Sequence, residues 1–586
     1  MKKATSLFLA VLLLASLFAG CSSGSPTDPA ASPGGTEQPP DTDTGDSGNP
    51  AGSETDAESE FDIWGKHAEP VKVTIGRSGS EQAWPAGDSI DDNQYTRWVK
   101  ETLNIEVETA WYVMQDYDQK VNLAMIGDDL PDIMLLNNRV QLNQLMESGM
   151  VADLTDVYGK YASPLLRSVA DSYGGEEAAL KSVTVGGRYM AMPDFNPGYQ
   201  YALTWIRQDW LEKAGLGDPQ TLDDVLAAAK TFVEMDLAGN GNTVGIELNN
   251  AMDERVMAGA YNNPGTLDPL FAYYNAYPQN WYKDGSGQYV YGSVTPQAKE
   301  ALGVVAQMYQ DGIIDKEFAT KDYLTSIASG NCGILFGPWW IGGWPLKDAK
   351  NNFPESEWKP YACALSPEGS YNVYSPDANS WWMVVRKDYE HPEVAIQLLN
   401  LLADVQCLMS DPAVDAFESV IPLNIRDAYK DVAGLGWGDW PINLTVRQSD
   451  QIITEAKKNK AQVAQIEAGD TSGMSENEVL EAQRIIGYRD GTDTSADAWN
   501  ALVSYMGKQI MLDFNPVLKI LPDQFYPGVT PTMELKWSNL RTLERTAYLQ
   551  IVMGEKPLDY FDTFVTEWFS QGGQEITDEV NELGNR

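Results

Sequence analysis

Apolar residues recur at two spacings along the early part of the chain, and the spacings alternate. Residues 71–75 form a short β-branched run stopped by Gly76-Arg77-Ser78-Gly79, which predicts a strand and a loop. Residues 95–103 carry the spacing of an amphipathic helix, and residues 105–111 read as a second strand. Val121 and Met125 stand four apart in a helix predicted over 117–126, which Gly127-Asp128-Asp129-Leu130-Pro131-Asp132 ends. Residues 133–136 are then a third strand, followed by Asn137-Asn138. This β-α-β-α-β order predicts a mostly parallel sheet covered by helices. Ligands bind off the carboxyl ends of strands in such sheets, so the loops 76–79 and 137–139 are expected to face a site.

Residues 205–213 and 221–232 have helical patterning. Leu222, Val225 and Leu226 share a face of the second of these, and Thr221 is placed to cap it. Residues 299–309 predict another helix. Residues 334–336 predict a strand running into Gly337-Pro338-Trp339-Trp340, and 381–385 a strand leading into a helix over 393–403. Internal repeats of the kind that build solenoids are absent. The fold class is α/β, in two lobes.

The first sixty residues follow a different pattern. Met1-Lys2-Lys3 precedes an apolar run from Leu7 to Phe18, then Ala19-Gly20-Cys21. The run is too short for a mature membrane span and has the parts of a secretory signal. It resembles a bacterial lipoprotein signal, which implies lipidation of Cys21. Residues 22–60 carry nine carboxylates, no Lys or Arg, and no aromatic, Leu, Ile, Val or Met. Such a segment buries too little apolar area to offset its ordering entropy, and it reads as a disordered acidic tether.

Charge narrows the function. The 586 residues include 41 Lys or Arg and 84 Asp or Glu, a net charge of −43. Nucleic acid is excluded as a partner, because phosphate binding needs a basic stripe and no extended Lys/Arg-rich run occurs. With only His67 and His391, multi-His zinc sites are out, and a His-based nucleophile would have to use one of these two. Cys21, Cys332, Cys363 and Cys407 lack CxxC spacing; Cys332 and Cys363 are a possible disulfide that distance decides.

A set of short motifs then recurs from about residue 70 onward. They are Gly127-Asp128-Asp129-Leu130-Pro131-Asp132-Ile133, Gly187-Arg188-Tyr189-Met190-Ala191-Met192-Pro193, Ile206-Arg207-Gln208-Asp209-Trp210-Leu211, Tyr309-Gln310-Asp311-Gly312-Ile313-Ile314-Asp315, Gly337-Pro338-Trp339-Trp340, His391-Pro392-Glu393, Asp559-Tyr560-Phe561-Asp562 and Gly572-Gly573-Gln574-Glu575-Ile576. In this order the chain resembles the extracellular solute-binding lipoproteins of bacterial ATP-binding-cassette (ABC) importers, in their oligosaccharide-binding group. The resemblance implies a two-lobed, periplasmic-binding-protein-like fold with a ligand cleft between the lobes. Behind a signal of 1–21 and a tether of 22–60, the solute-binding domain would be 61–586. Lobe 1 would take about 66–195 and 378–430, and lobe 2 about 196–377 and 431–586.

The implied function is capture of an oligosaccharide by hinge closure and its delivery to a permease. No GxxxxGK[ST] loop occurs, so the ATPase would be a separate chain. The protein would be a monomer without a cofactor or catalytic residues, lipid-anchored to the outer face of a cell membrane of the Gram-positive kind. Two other functions stay open: a receptor for peptide or another solute on the same fold, and a surface glycoside hydrolase, which needs only two suitably spaced carboxylates.

The chain carries 18 Trp and 28 Tyr. Aromatic rings bury the flat CH faces of sugars while polar groups meet the hydroxyls. Expected stacking residues are Trp84, Trp111, Trp205, Trp339, Trp340 and Trp381, the family resemblance favouring Trp339, Trp340 and Trp381. Of the neighbours Trp381 and Trp382, strand alternation sends one inward and one outward. Trp437 and Trp440 are weaker candidates. Expected polar contacts are Arg77, Asn137, Asn138, Asp377 and Asn379, all at strand ends, whereas Arg207 and Asp209 are expected to pair with each other. Asp236, Asn240, Asn242 and Glu247 fall near the ligand positions of a calcium loop, but Ala238 and Val244 occupy two others, so a polar turn without metal is the expectation.

Overall fold

The computed structural model describes residues 65–79, 84, 87–113, 115–196, 202–249, 257–258, 263–363, 366–375, 379–408, 441–474, 476–522, 525 and 528–584. The chain divides into units 1–60 and 61–586, and every described residue belongs to the second. Cys21, the expected tether, Asp377, Trp437 and Trp440 lie outside the described residues.

The strands that build the sheets are β1 (Val71–Arg77), β2 (Ile105–Tyr112), β3 (Ile133–Leu136), β4 (Met192–Pro193), β5 (Leu203–Arg207) and β6 (Val244–Ile246). They continue with β7 (Cys332–Gly337), β8 (Trp358–Tyr361), β9 (Tyr371–Ser375), β10 (Trp382–Val385) and β11 (Leu518–Pro522). Among the helices are α1 (Gln94–Leu103), α2 (Tyr117–Gly127), α3 (Arg139–Ser148), α4 (Leu222–Glu234), α5 (Pro296–Gln310) and α6 (Glu393–Ala403). The carboxyl-terminal part adds α7 (Gln451–Glu467), α8 (Glu476–Arg489), α9 (Ala496–Phe514), α10 (Pro531–Val552), α11 (Tyr560–Trp568) and α12 (Gln574–Gly584).

The first sheet runs β2-β1-β3-β10-β4. β1 is parallel to β2 and β3, as the alternating pattern requires, while β10 enters antiparallel between β3 and β4. Every residue of β3 is buried, because helices cover both faces of the central strands. The second sheet runs β8-β5-β7-β6. Its alternation divides two clusters: Ile206, Ile334 and Phe336 face one, and Leu203, Trp205 and Leu335 face the other. Residues 205–213, expected to be helical throughout, therefore split into the end of β5 and a helix from Gln208 to Ala214. β5 is flanked on both sides by antiparallel partners, and that pairing decides its state over local helical spacing.

Buried side chains of residues 71–195 and 382–446 form a first core. Those of 202–373 and 452–580 form the two clusters on either face of the second sheet. Among the described residues the chain thus passes from one core to the other three times: after Phe195, after Val373 and after Val446. Ile442, Leu444 and Val446 belong to the first core, well beyond residue 430. Cys332, Cys363 and Cys407 are buried free thiols. No described helix is long and apolar enough to cross a membrane.

Candidate functional site

Two cavities are lined from both cores. One, of about 510 Å³, has Arg139, Glu147 and Lys181 on its first-core side and Leu583 and Gly584, at the end of α12, on the other. The second, of about 380 Å³, meets the first core through Val140 and is otherwise lined by second-core residues, including Trp281, Tyr374, Phe525, Trp537 and Arg541.

α3 contributes to the first-core wall of both, sharing that of the first cavity with residues 181–187. Asn138 begins the helix: its side chain accepts from the amides of Val140 (3.0 Å) and Gln141 (3.4 Å) and donates to Asp118 Oδ2 (2.9 Å). Arg139 and Val140 therefore stand in the first turn, beside the cavities. The Arg139 guanidinium lies 4.3 Å from the Trp382 ring centroid, and its Nη1 donates to the Ser182 carbonyl at 2.7 Å. Gly528 has φ +70°, and a Cβ on it would lie 3.1 Å from Arg139 Cγ. A glycine at this point lets a second-core loop close onto the arginine.

α10 supplies the opposite wall. Thr530 caps it, accepting from the Met533 amide at 3.2 Å, and Pro531 sits in its first turn. Glu534, Trp537 and Arg541 follow at i, i+3 and i+7, so one face carries all three to the second cavity. Trp537 stacks against Trp281 with centroids 6.3 Å apart and planes at 28°. Tyr291 lies flat on Trp568 at 5.1 Å and 8°. Arg541 Nη2 donates to Gln279 Oε1 at 3.0 Å. Under these rings Glu544 is buried and accepts from Tyr291 Oη and Ser293 Oγ, both at 2.8 Å. Burial raises its pKa above the ordinary carboxylate value. Flat aromatic faces beside amide and guanidinium donors suit a ligand with apolar CH faces and many oxygens.

None of the described residues expected to touch a ligand lines either cavity. Trp205 is fully buried in the second sheet and donates through Nε1 to the Gly337 carbonyl at 3.1 Å, so its ring offers no open face. Asn138 is spent on its helix, and Asn137 is exposed. Arg77 and Trp111 do come together, at the carboxyl ends of β1 and β2. Arg77 is 2% exposed and its guanidinium lies over Tyr112, while a Cβ on Gly76 would strike the Trp111 ring at 2.5 Å. Trp84 is half-buried. Trp339 and Trp340 are half-buried against the second-core cluster, with Lys508 Nζ 4.3 Å above the Trp339 ring.

Asn379 and Trp381 are organised by Asp194, which the sequence reading did not single out. Its Oδ1 accepts from the amides of Ser380 (2.7 Å) and Trp381 (3.0 Å), and its carbonyl accepts from Asn379 Nδ2 (2.8 Å). Asn379 Oδ1 accepts from Ser182 Oγ at 2.7 Å, and Ser182 lines the first cavity, so Asn379 stands one residue behind that wall. Trp382 is buried and Trp381 half-buried, and both pack against the first core, so the expected division of the pair into one inward and one outward ring is not what the structure has. Trp281, Trp537 and Arg541 were also missed; the i, i+3, i+7 spacing behind Thr530-Pro531 was the signal that marks two of them.

The expected Arg207–Asp209 pair is bidentate, Nε and Nη2 each 2.7 Å from a carboxylate oxygen. Asp236 closes a polar turn, accepting from the Gly241 amide (2.9 Å) and Thr243 Oγ1 (2.8 Å). Asn240 donates to Asn331, and Asn242 turns back on Asn240. Glu247 is buried beside the second sheet, its amide bonded to the Ile334 carbonyl. No group of three or more His, Cys, Asp or Glu among the described residues is placed to hold a metal ion.

Residues 84–406, more than half of the chain, match the bacterial extracellular solute-binding protein family. Among curated relatives, lipoprotein LipO of Bacillus subtilis is 24% identical over 235 residues, covering 39% of this chain and 43% of LipO. The polygalacturonan/rhamnogalacturonan-binding protein YtcQ of the same organism is 23% identical over 246 residues, covering 41% of this chain and 45% of YtcQ. The chain thus spans less than half the length of these relatives. In fold it is similar to the Streptococcus pneumoniae ABC-transporter substrate-binding protein FusA in complex with kestose, at TM-score 0.56 and 15% identity over 88% of this chain and 99% of that one. By the family match, this chain belongs to the bacterial extracellular solute-binding proteins.

Proposed function

We propose that the protein captures an oligosaccharide between its two cores and passes it unaltered to the permease of an ABC importer, whose ATPase is a separate chain. The observation that carries this reading is the second cavity, where Trp281 and Trp537 stand beside Gln279, Asn280 and Arg541. Relatives described as binding polygalacturonan or, in FusA, seen with kestose support a carbohydrate. In this reading the first core is lobe 1, about 66–195 and 378–446, and the three crossings are the hinge. Closure then shifts an open–closed equilibrium that the transporter reads. The half-buried Trp84, Trp111, Trp339, Trp340 and Trp381 are further rings for a longer ligand. Cys21 carries the lipid, and the acidic segment 22–60 holds a monomeric receptor off the outer face of a Gram-positive cell membrane.

The test is a tryptophan fluorescence titration with plant and bacterial oligosaccharides, followed by chromatography of each mixture. A saturable change with the sugar recovered intact is expected. Cleaved sugar would make the protein a glycoside hydrolase, and no response across the sugar panel would move the reading to peptide or another solute.

A further inference from the structure

The cavities depart from the charge of the chain that encloses them. Carboxylates outnumber Lys and Arg 84 to 41 over the whole sequence. Among the described residues that line the two cavities, the charged ones are the cations Arg139, Lys181 and Arg541 and the carboxylates Glu147 and Glu534. Among these groups Arg541 has the most unspent bonding capacity. A guanidinium has five N–H donors. Arg541 makes one side-chain hydrogen bond, from Nη2 to Gln279, and its Nε is buried without a partner among the described residues.

The nearby buried carboxylate does not take up these donors. Glu544 accepts from Tyr291 and Ser293; burial raises its pKa while the nearby Arg541 charge acts the other way, and no ion pair joins the two among the described residues. Arg541 is thus held by Gln279 in an aromatic-walled cavity, its charge not offset by an ion pair among the described residues. The Trp537 ring, one helical turn back on the same face, is placed to take the flat side of a sugar. Across the Gly528 contact, Arg139 adds a second positive charge. Planar, partly desolvated guanidinium is the group that best distinguishes a carboxylate from a hydroxyl.

We propose that the solute is an acidic oligosaccharide, with the carboxylate of a uronic acid unit received by Arg541 beside Trp537. This rests on the oligosaccharide reading above and narrows it.

The test is calorimetric titration of the protein with trigalacturonic acid, with its methyl ester, and with neutral trisaccharides. The acid is expected to bind roughly tenfold or more tightly than the ester, the worth of one charge-assisted contact. In R541M both ligands should bind more weakly, but the acid should lose roughly tenfold more affinity than the ester, so that the preference collapses, and a thermal melt of the variant checks its fold. If R541M does not fold, R541K serves: it keeps the charge but loses the fork, and the acid preference should fall without vanishing. Equal binding of acid and ester, or binding of neutral sugars alone, overturns the acidic ligand and leaves the sugar receptor standing. Silence toward all three overturns both.

Discussion

Glu247 is the clearest single residue whose ionisation opposes the fold. It is buried; Oε1 accepts from the Leu248 amide at 3.1 Å and Oε2 has no partner among the described residues. Burial, with a smaller contribution from Asp315, pushes its pKa from 4.5 up to about 8. Below pH 4.5 both folded and unfolded chains hold the proton. As pH rises from there toward 8, the unfolded chain loses it first, so this residue makes stability fall across that window. E247Q removes the ionisation and keeps the acceptor. Its stability relative to the parent should grow between pH 5 and pH 8, by roughly 4 kcal/mol at most. Urea unfolding at the two pH values reads this directly, and a pH-independent difference would refute it. Nothing in the neighbouring sequence announces such burial; Glu247 read as a metal-loop position because its side chain's surroundings come from residues 315–334.

At the scale of elements, α3 depends on one side chain for its start. N138A should cost about 1 kcal/mol in a urea melt, and N138S should restore most of it. An unchanged midpoint in N138A would mean that solvent caps the helix equally well. Elements of this kind were legible: the strand–helix alternation of β1 to β3 and the Thr221 cap follow from local spacing, and the structure has them. β5 was not, because Leu203–Arg207 owes its state to partners more than a hundred residues away. The candidate site was less legible. Two loops were expected to face a site, and of their residues only Arg139 lines a cavity among the described residues; Asn137, Asn138 and the loop 76–79 do not. The opposing face of α10 was not legible, since no local pattern says which second-core helix will meet α3.

For the molecule as a whole, α12 closes the second core. Ile576 and Val580 are buried in it, and Asn581 exchanges hydrogen bonds with the backbone of Tyr289, 292 residues earlier. Removing residues 574–586 should expose amides of β5 to β7 to hydrogen exchange while those of β1 to β3 stay protected. Equal loss in both sheets would show that the cores unfold as one. The two cores were legible in number, through the family resemblance, but their interleaving was not. That interleaving has a temporal side. β10 lies between β3 and β4, so a chain emerging amino end first must hold a vacant place in its first sheet until residue 382 is made, and its second core waits for the final helix. Contacts so remote in sequence form slowly. A polypeptide threaded through a secretion pore would therefore stay unfolded for most of its passage and fold only once nearly all of it had crossed.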